Sequence, residues 1–251
     1  EAVSSPAAAQ KRPRALVLLI DTSANAQSSG ALRAYCEAAR EALATAAADA
    51  AATGASVRVA LLTYDSHVVA YYLRNGAPPL AHVLPSSSDA TLPQPPRHRP
   101  SLLSELPDVL PALQDLLQKL PDAKPSPEPA AAGGGDGSVV PEGGGAALPS
   151  AIHMALELLG NSAAKLIVCA SNGATTGFGK TSRVPPRPAA PDASPSDLSE
   201  AAEVLERLTR AESTELMRLA QRCHAVGVTI DLSLAPSVGD AFVDLASLAP
   251  L

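Results

Sequence analysis

The amino-acid sequence predicts an α/β fold with a mostly parallel sheet, one antiparallel edge strand and helices on both faces. Three observations favour this class. Short apolar runs alternate with longer helical patterns, which is typical of parallel sheets covered by helices. The first run, 15–20, is continuously apolar, as a strand buried on both faces requires. Two later runs are too close together in the chain for a parallel connection.

The predicted domain begins with a strand and a helix. The strand covers 15–20 and is ended by Asp21. The helix covers 30–51, and Gly54 follows it at the place where a C-terminal glycine commonly ends a helix. One apolar stripe runs along this helix and consists of Leu32, Cys36, Ala39 and Leu43.

A hairpin is predicted next. The runs 57–64 and 67–73 are rich in β-branched and aromatic residues. Only Asp65 and Ser66 separate them, so we expect the two strands to pair in antiparallel fashion. The second of them supplies the antiparallel edge strand.

The second half of the chain completes the alternation. Strands are predicted at 165–170 and 228–234, and helices at about 102–120, 147–159 and 197–225, with a last short helix beginning near Gly239. Pro107 and Pro111 fall early in the first of these helices and can break it in two.

The sequence therefore predicts one domain over 15–251, preceded by a linker at 1–14. Three stretches rich in Pro, Gly, Ala or Ser are predicted as low-complexity insertions on its surface, near 75–101, 121–146 and 172–196. The chain starts at Glu1, and we expect it to be a segment of a longer protein.

Composition excludes several classes of function. The net charge is −6 and aromatic residues make up 2% of the chain, so nucleic-acid binding is not expected. Cys36, Cys169 and Cys223 form no metal-binding or redox pair, and we interpret them as small core residues in a reducing compartment. No apolar run is long enough to span a membrane.

Polar residues follow the predicted strands where sites in open parallel sheets lie. Asp21 and Ser23 match the start of the Asp-x-Ser-x-Ser pattern by which von Willebrand A domains hold Mg²⁺. Asn25 stands in place of the second serine, and Asn172 stands where an aspartate is expected. We therefore predict no bound metal, with Asp21, Ser23 and Asn25 as a degenerate remnant of the site. The alternative role for Asp21 and Ser23 is to bond the loop backbone and cap the first helix.

A second candidate site is a phosphate-binding loop at 173–181, which ends in Gly-Lys-Thr. Ala174 occupies the position of the first glycine of that motif. Prolines follow Lys180 where the motif needs a helix N-terminus: Pro185, Pro186, Pro188 and Pro191. Nucleotide binding is therefore not expected.

No other catalytic pattern is present in the sequence. There is no Gly-x-Ser-x-Gly motif, and the five histidines do not pair at metal-ligand spacing. His153, on a predicted helix, is interpreted as a structural residue. The chain is predicted not to be an enzyme and to need no cofactor.

Several segments together resemble the von Willebrand A-like trunk domain of the COPII inner-coat subunits. The matching segments, in order, are 17–26, 59–66, 71–73, 116–121, 145–159, 228–232 and 244–248. The last two are similar to the cargo-adaptor branch of the family, whereas 170–177 looks more like the GTPase-activating branch. On balance the resemblance favours the cargo-adaptor type.

This resemblance implies a protein-interaction module in transport from the endoplasmic reticulum to the Golgi. The implied partners are the complementary inner-coat subunit, the small GTPase of the coat and cargo proteins. The implied location is the cytoplasm, at the cytosolic face of the endoplasmic reticulum and of COPII vesicles, with membrane association only through the assembled coat. No catalytic residue carries over. The alternatives are a metal-dependent von Willebrand A protein-binding domain and a divergent P-loop nucleotide-binding protein.

Overall fold

The computed structural model describes residues 15–84, 102–123, 146–160, 162–174, 178, 214–235, 245–246 and 248. Its strands are β1 (Ala15–Asp21), β2 (Arg58–Tyr64), β3 (Val68–Arg74), β4 (Ala77–Leu84), β5 (Ser104–Glu105), β6 (Ala164–Ala170) and β7 (Val228–Leu234). Its α-helices are α1 (Ala24–Ser28), α2 (Ala31–Thr53), α3 (Leu106–Lys119), α4 (Leu148–Leu159) and α5 (Thr214–Ala225). A 3-10 turn, Leu120–Asp122, continues α3.

The strands form one mixed sheet. Its order is β4-β3-β2-β1-β6-β7, and the short β5 pairs with β2. β2, β1, β6 and β7 are parallel neighbours, and β3 runs antiparallel to β2. The predicted α/β class, with a mostly parallel sheet and an antiparallel hairpin, is confirmed.

β1 lies in the middle of the sheet and sends side chains to both faces. Val17 and Leu19 lie in the core that α4 and α5 cover. Leu18 and Ile20 lie in the core beneath α2 and α3. Because successive side chains of a strand alternate between faces, only a continuous apolar run satisfies both cores. The two helical layers confirm the predicted helices on both faces.

α2 covers one face with the stripe predicted from the sequence, to which the structure adds Tyr35. Gly54 ends the helix in the left-handed conformation, with φ of 63°, which a residue with a Cβ adopts only at a cost. The predicted start at residue 30 is nearly correct, but a separate short helix, α1, precedes Gly30.

α3 remains one helix in spite of its two prolines. It begins at Leu106, so Pro107 falls in the first turn, where backbone N–H groups lack a helical partner anyway. Pro111 lies inside the helix without dividing it. The buried stripe on this amphipathic helix comprises Leu106, Val109, Leu113 and Leu117.

β4 corrects the prediction for the edge of the sheet. Residues 77–84 lie in a stretch predicted as a low-complexity insertion, yet they pair antiparallel with β3. β3 is therefore an inner strand rather than the edge strand. Pro78 and Pro79 hide the strand in the sequence because proline disfavours pairing, but an edge strand tolerates missing N–H groups. The overlooked signal is Asn75-Gly76, a strong hairpin dipeptide, whose glycine has φ of 67°.

Some predictions fall outside the described residues. These are the linker at 1–14, most of the three predicted insertions, the first half of the helix at 197–225, and most of the last short helix. From the segment of that last helix, Leu245 and Leu248 are described, and both are buried in the core. None of the helices in the described part of the chain is long and apolar enough to cross a membrane.

Candidate functional site at the carboxyl edge of the sheet

The loops after β1 and β6 meet at the carboxyl edge of the sheet, because these strands are parallel neighbours. Asp21, the last residue of β1, is completely buried there. Its Oδ1 accepts the backbone N–H of Ser23 and its Oδ2 accepts that of Ser171, each over 2.9 Å. One carboxylate thus fixes the start of both loops.

Burial raises the pKa of the Asp21 carboxyl above its ordinary value. Hydrogen bonds from Ser23, Ser171 and Asn172 oppose this shift because they stabilise the charged form. None of the groups that shift the pKa of Asp21 is a cationic side chain.

Ser23 caps α1, a short helix that the sequence did not predict, and Gly30 precedes the predicted helix α2 instead. Its Oγ accepts the backbone N–H of Ala26 over 3.4 Å. The same Oγ accepts the side-chain amide of Asn172 over 2.9 Å. Ser23 therefore joins the cap of α1 to the loop after β6.

Asn25 completes the contact between the two loops. Its Nδ2 donates to the carbonyl oxygen of Ser171 over 2.7 Å and to Oδ1 of Asn172 over 2.9 Å. We call the four side chains Asp21, Ser23, Asn25 and Asn172 the amide clasp. The structure thus brings together every residue that the sequence analysis assigned to the degenerate metal site, including Asn172.

The amide clasp does not fit a metal ion. A hard divalent cation needs several converging oxygen lone pairs, but both Asp21 oxygens already accept backbone N–H groups. The amides of Asn25 and Asn172 place N–H donors between the loops. In the part of the chain that the structure describes, no group of three His, Cys, Asp or Glu residues is arranged to hold a metal.

Two buried tyrosines support the carboxyl end of β6 from opposite faces of the sheet. Tyr64, at the end of β2, donates its hydroxyl to the carbonyl of Cys169 over 2.9 Å. Tyr35, on α2, donates to the carbonyl of Ala170 over the same distance. Burial raises the pKa of Tyr35 to about 12 and that of Tyr64 well above its ordinary value. Both phenols are therefore neutral donors, and neither was identified from the sequence.

The β2–β3 turn lies next to the same edge. Asp65 accepts the backbone N–H of His67 over 2.8 Å, which closes the turn. The carbonyl oxygen of Asp65 accepts the N–H of Ala147, just before α4, over 2.7 Å. Thr22 donates its N–H to the Tyr64 carbonyl over 2.9 Å, so the loops after β1 and β2 are also tied together.

The candidate phosphate-binding loop at 173–181 is described only in part. Its residues Gly173 and Ala174 are buried beside the clasp, whereas Lys180 and the prolines after it lie outside the described residues. His153 contacts Arg222 of α5 at 3.3 Å, which agrees with a structural role.

The three cysteines are buried and unpaired with one another: Cys36, Cys169 and Cys223. Burial raises the thiol pKa to about 12, 12 and 11, respectively, which makes them poor nucleophiles.

Comparison with known proteins gives one family, and several solved structures match the chain. The model of the Sec23/Sec24 trunk domain family matches residues 11–251. No curated protein sequence matches the chain. A crystal structure of the human COPII-coat protein Sec24c matches with a TM-score of 0.65 and 19% identity, covering 95% of this chain and 28% of that one. At this identity the structural match supports the fold, and the chain spans little more than a quarter of that coat protein.

Proposed function

Because the chain belongs to the Sec23/Sec24 trunk domain family, we propose that it is a component of the COPII vesicle coat. It acts there as a protein-interaction module in transport from the endoplasmic reticulum to the Golgi. The observation that carries this proposal is the extent of the family match, which covers residues 11–251 and therefore nearly the whole chain.

The geometry of the sheet edge supports a binding module rather than an enzyme. The buried carboxylate of Asp21 bonds to the backbone on both oxygens, and a catalytic acid or base needs access to a substrate proton. The three thiols are buried with raised pKa values. The side chains of the amide clasp connect the two loops, as a rigid recognition scaffold requires.

The finer assignment within the coat is the cargo-adaptor type. It rests on the similarity of 228–232 and 244–248 to that branch. The partner would be the complementary inner-coat subunit, with the coat's small GTPase and cargo proteins as further contacts. The chain would work at the cytosolic face of the endoplasmic reticulum and reach the membrane through the assembled coat. A net charge of −6 agrees with this indirect attachment, since anionic lipids repel acidic surfaces.

Affinity capture from cytosol tests this proposal. The purified chain is immobilised, and bound proteins are identified by mass spectrometry. The proposal predicts recovery of one inner-coat subunit, and recovery of the GTPase-activating subunit identifies this chain as the adaptor type. Recovery of the cargo adaptor instead would overturn that finer assignment, and capture of neither subunit would contradict a role in the coat.

A further inference from the structure

Two Asn-Gly dipeptides occur in the chain, Asn75-Gly76 and Asn172-Gly173. In such a dipeptide the glycine nitrogen can attack Cγ of the asparagine side chain, because glycine has no Cβ to obstruct the approach. The reaction requires the asparagine side chain to turn freely toward the following peptide. The same dipeptide in two environments therefore allows a direct comparison within one molecule.

Asn75 lies in the turn that joins β3 to β4, at the exposed edge of the sheet. Both Asn75 and Gly76 are exposed to solvent. The turn is short, since Arg74 and Ala77 on either side of it are paired residues of the two strands. Loop tips of this kind are where local opening costs least.

Asn172 lies in the opposite situation. Its Nδ2 donates to Ser23 Oγ and its Oδ1 accepts from Asn25, each over 2.9 Å. Gly173, which supplies the attacking nitrogen, is buried. The side chain must break both bonds before it can turn toward that nitrogen, so the reaction waits for local opening of the clasp.

We propose that Asn75 is a site of spontaneous deamidation and that the amide clasp protects Asn172 from the same reaction. The bond that forms joins the Gly76 nitrogen to Cγ of Asn75. The bond that breaks is Cγ–Nδ2, and ammonia leaves with the proton from the glycine nitrogen. Water then opens the cyclic imide to aspartate or to isoaspartate, so no oxidant or other reactant is needed.

Each site would respond differently to the reaction. At Asn75 the product adds a negative charge and, as isoaspartate, one extra main-chain carbon to the turn that holds β4 in register. That strand is the edge of the sheet and already exposes Leu80 and Val83, which are 48% and 57% accessible. Its loosening would leave β3 as an unpaired edge strand. At Asn172 the product would lose the donor to Ser23 and place a second carboxylate beside Asp21. The protected site is thus the one where deamidation is most damaging.

Ageing of the purified chain in mildly alkaline buffer tests the proposal. Peptide mapping by mass spectrometry then follows the amide at both sites. The native chain should convert at Asn75 roughly tenfold or more faster than at Asn172, since opening the clasp breaks two partly buried hydrogen bonds. In denaturant the two rates should become similar, because both sites then have the same local sequence. Equal rates in the native chain, or an Asn75 that is stable while the denatured chain reacts, would overturn the proposal.

Two variants separate protection by the clasp from other causes. Asn25→Ala removes one hydrogen bond to Asn172 and should raise its rate of deamidation severalfold while leaving the Asn75 rate unchanged. Asn75→Gln should abolish conversion at the exposed turn without affecting Asn172. If Asn25→Ala remains folded by circular dichroism and Asn172 reacts no faster, the clasp is not what protects it.

Discussion

The Nδ2 atom of Asn25 lies 2.9 Å from Oδ1 of Asn172, although the two residues are separated by 147 positions in the sequence. This contact connects the loop after β1 to the loop after β6. Two neutral side-chain amides make this connection, and the first prediction follows from their chemistry.

Asn172→Asp is expected to lower the free energy of unfolding by about 1–3 kcal/mol, because it removes the donor to Ser23 Oγ and adds a charge near Asp21. The loss should shrink at low pH, where the new carboxyl is protonated and can donate again. Urea unfolding at several pH values measures this. Asn75→Asp makes the same chemical change in an exposed turn and should be almost neutral. Equal losses for the two variants would show that the clasp contributes nothing specific.

The tyrosine pair gives a second prediction. Tyr64→Phe and Tyr35→Phe keep the ring but leave the carbonyls of Cys169 and Ala170 without these donors. Each should cost about 0.5–1.5 kcal/mol in urea unfolding. Tyr72→Phe is the matched control, since Tyr72 is only partly buried and its ring stacks edge-on against His82. A loss for Tyr72→Phe as large as for Tyr64→Phe would contradict the assigned roles.

The contact between α4 and α5 predicts a dependence of stability on pH. Arg222 bonds to Glu157 over 2.6 Å and lies 3.3 Å from Nδ1 of His153. Burial lowers the pKa of His153 below its ordinary value of 6.5, with Arg222 adding to the shift and Glu157 opposing it. The unfolded chain therefore binds the proton more tightly, so stability is present above pH 6.5 and declines as the pH falls through the lowered pKa.

Thermal unfolding across this pH range measures the effect. His153→Gln should flatten the profile, because it removes the group that titrates. His82→Gln, which changes an exposed histidine on β4, is the matched substitution away from the contact between α4 and α5. A wild-type melting temperature that does not fall below pH 6.5, or a slope unaffected by His153→Gln, would show that this contact does not control the profile.

The fold was largely predictable because its strongest signals are local. The continuous run in β1 and the stripe on α2 each follow from the geometry of a single element. β4 was not predicted, because Pro78 and Pro79 indicate a loop although the Asn75-Gly76 dipeptide indicates a hairpin turn. Its pairing depends on β3, which a local pattern does not describe.

The candidate site was predictable only in part. Asp21, Ser23 and Asn25 lie close in the sequence and follow a strand, so their shared position could be inferred. The bonding of Asn172 to both Ser23 and Asn25 depends on the parallel pairing of β1 with β6. The tyrosines could not be identified, because a phenol that reaches a carbonyl on another strand has the same sequence pattern as any core aromatic.

The affinity of the chain for the inner-coat subunit it captures should be measured in Mg²⁺ and again in a chelating buffer. We expect the same dissociation constant in both, since neutral amides rather than an ion hold the recognition scaffold together. Binding that is lost on chelation and restored by added Mg²⁺ would contradict it, and would show that Asp21 and Ser23 belong to a metal-dependent von Willebrand A site.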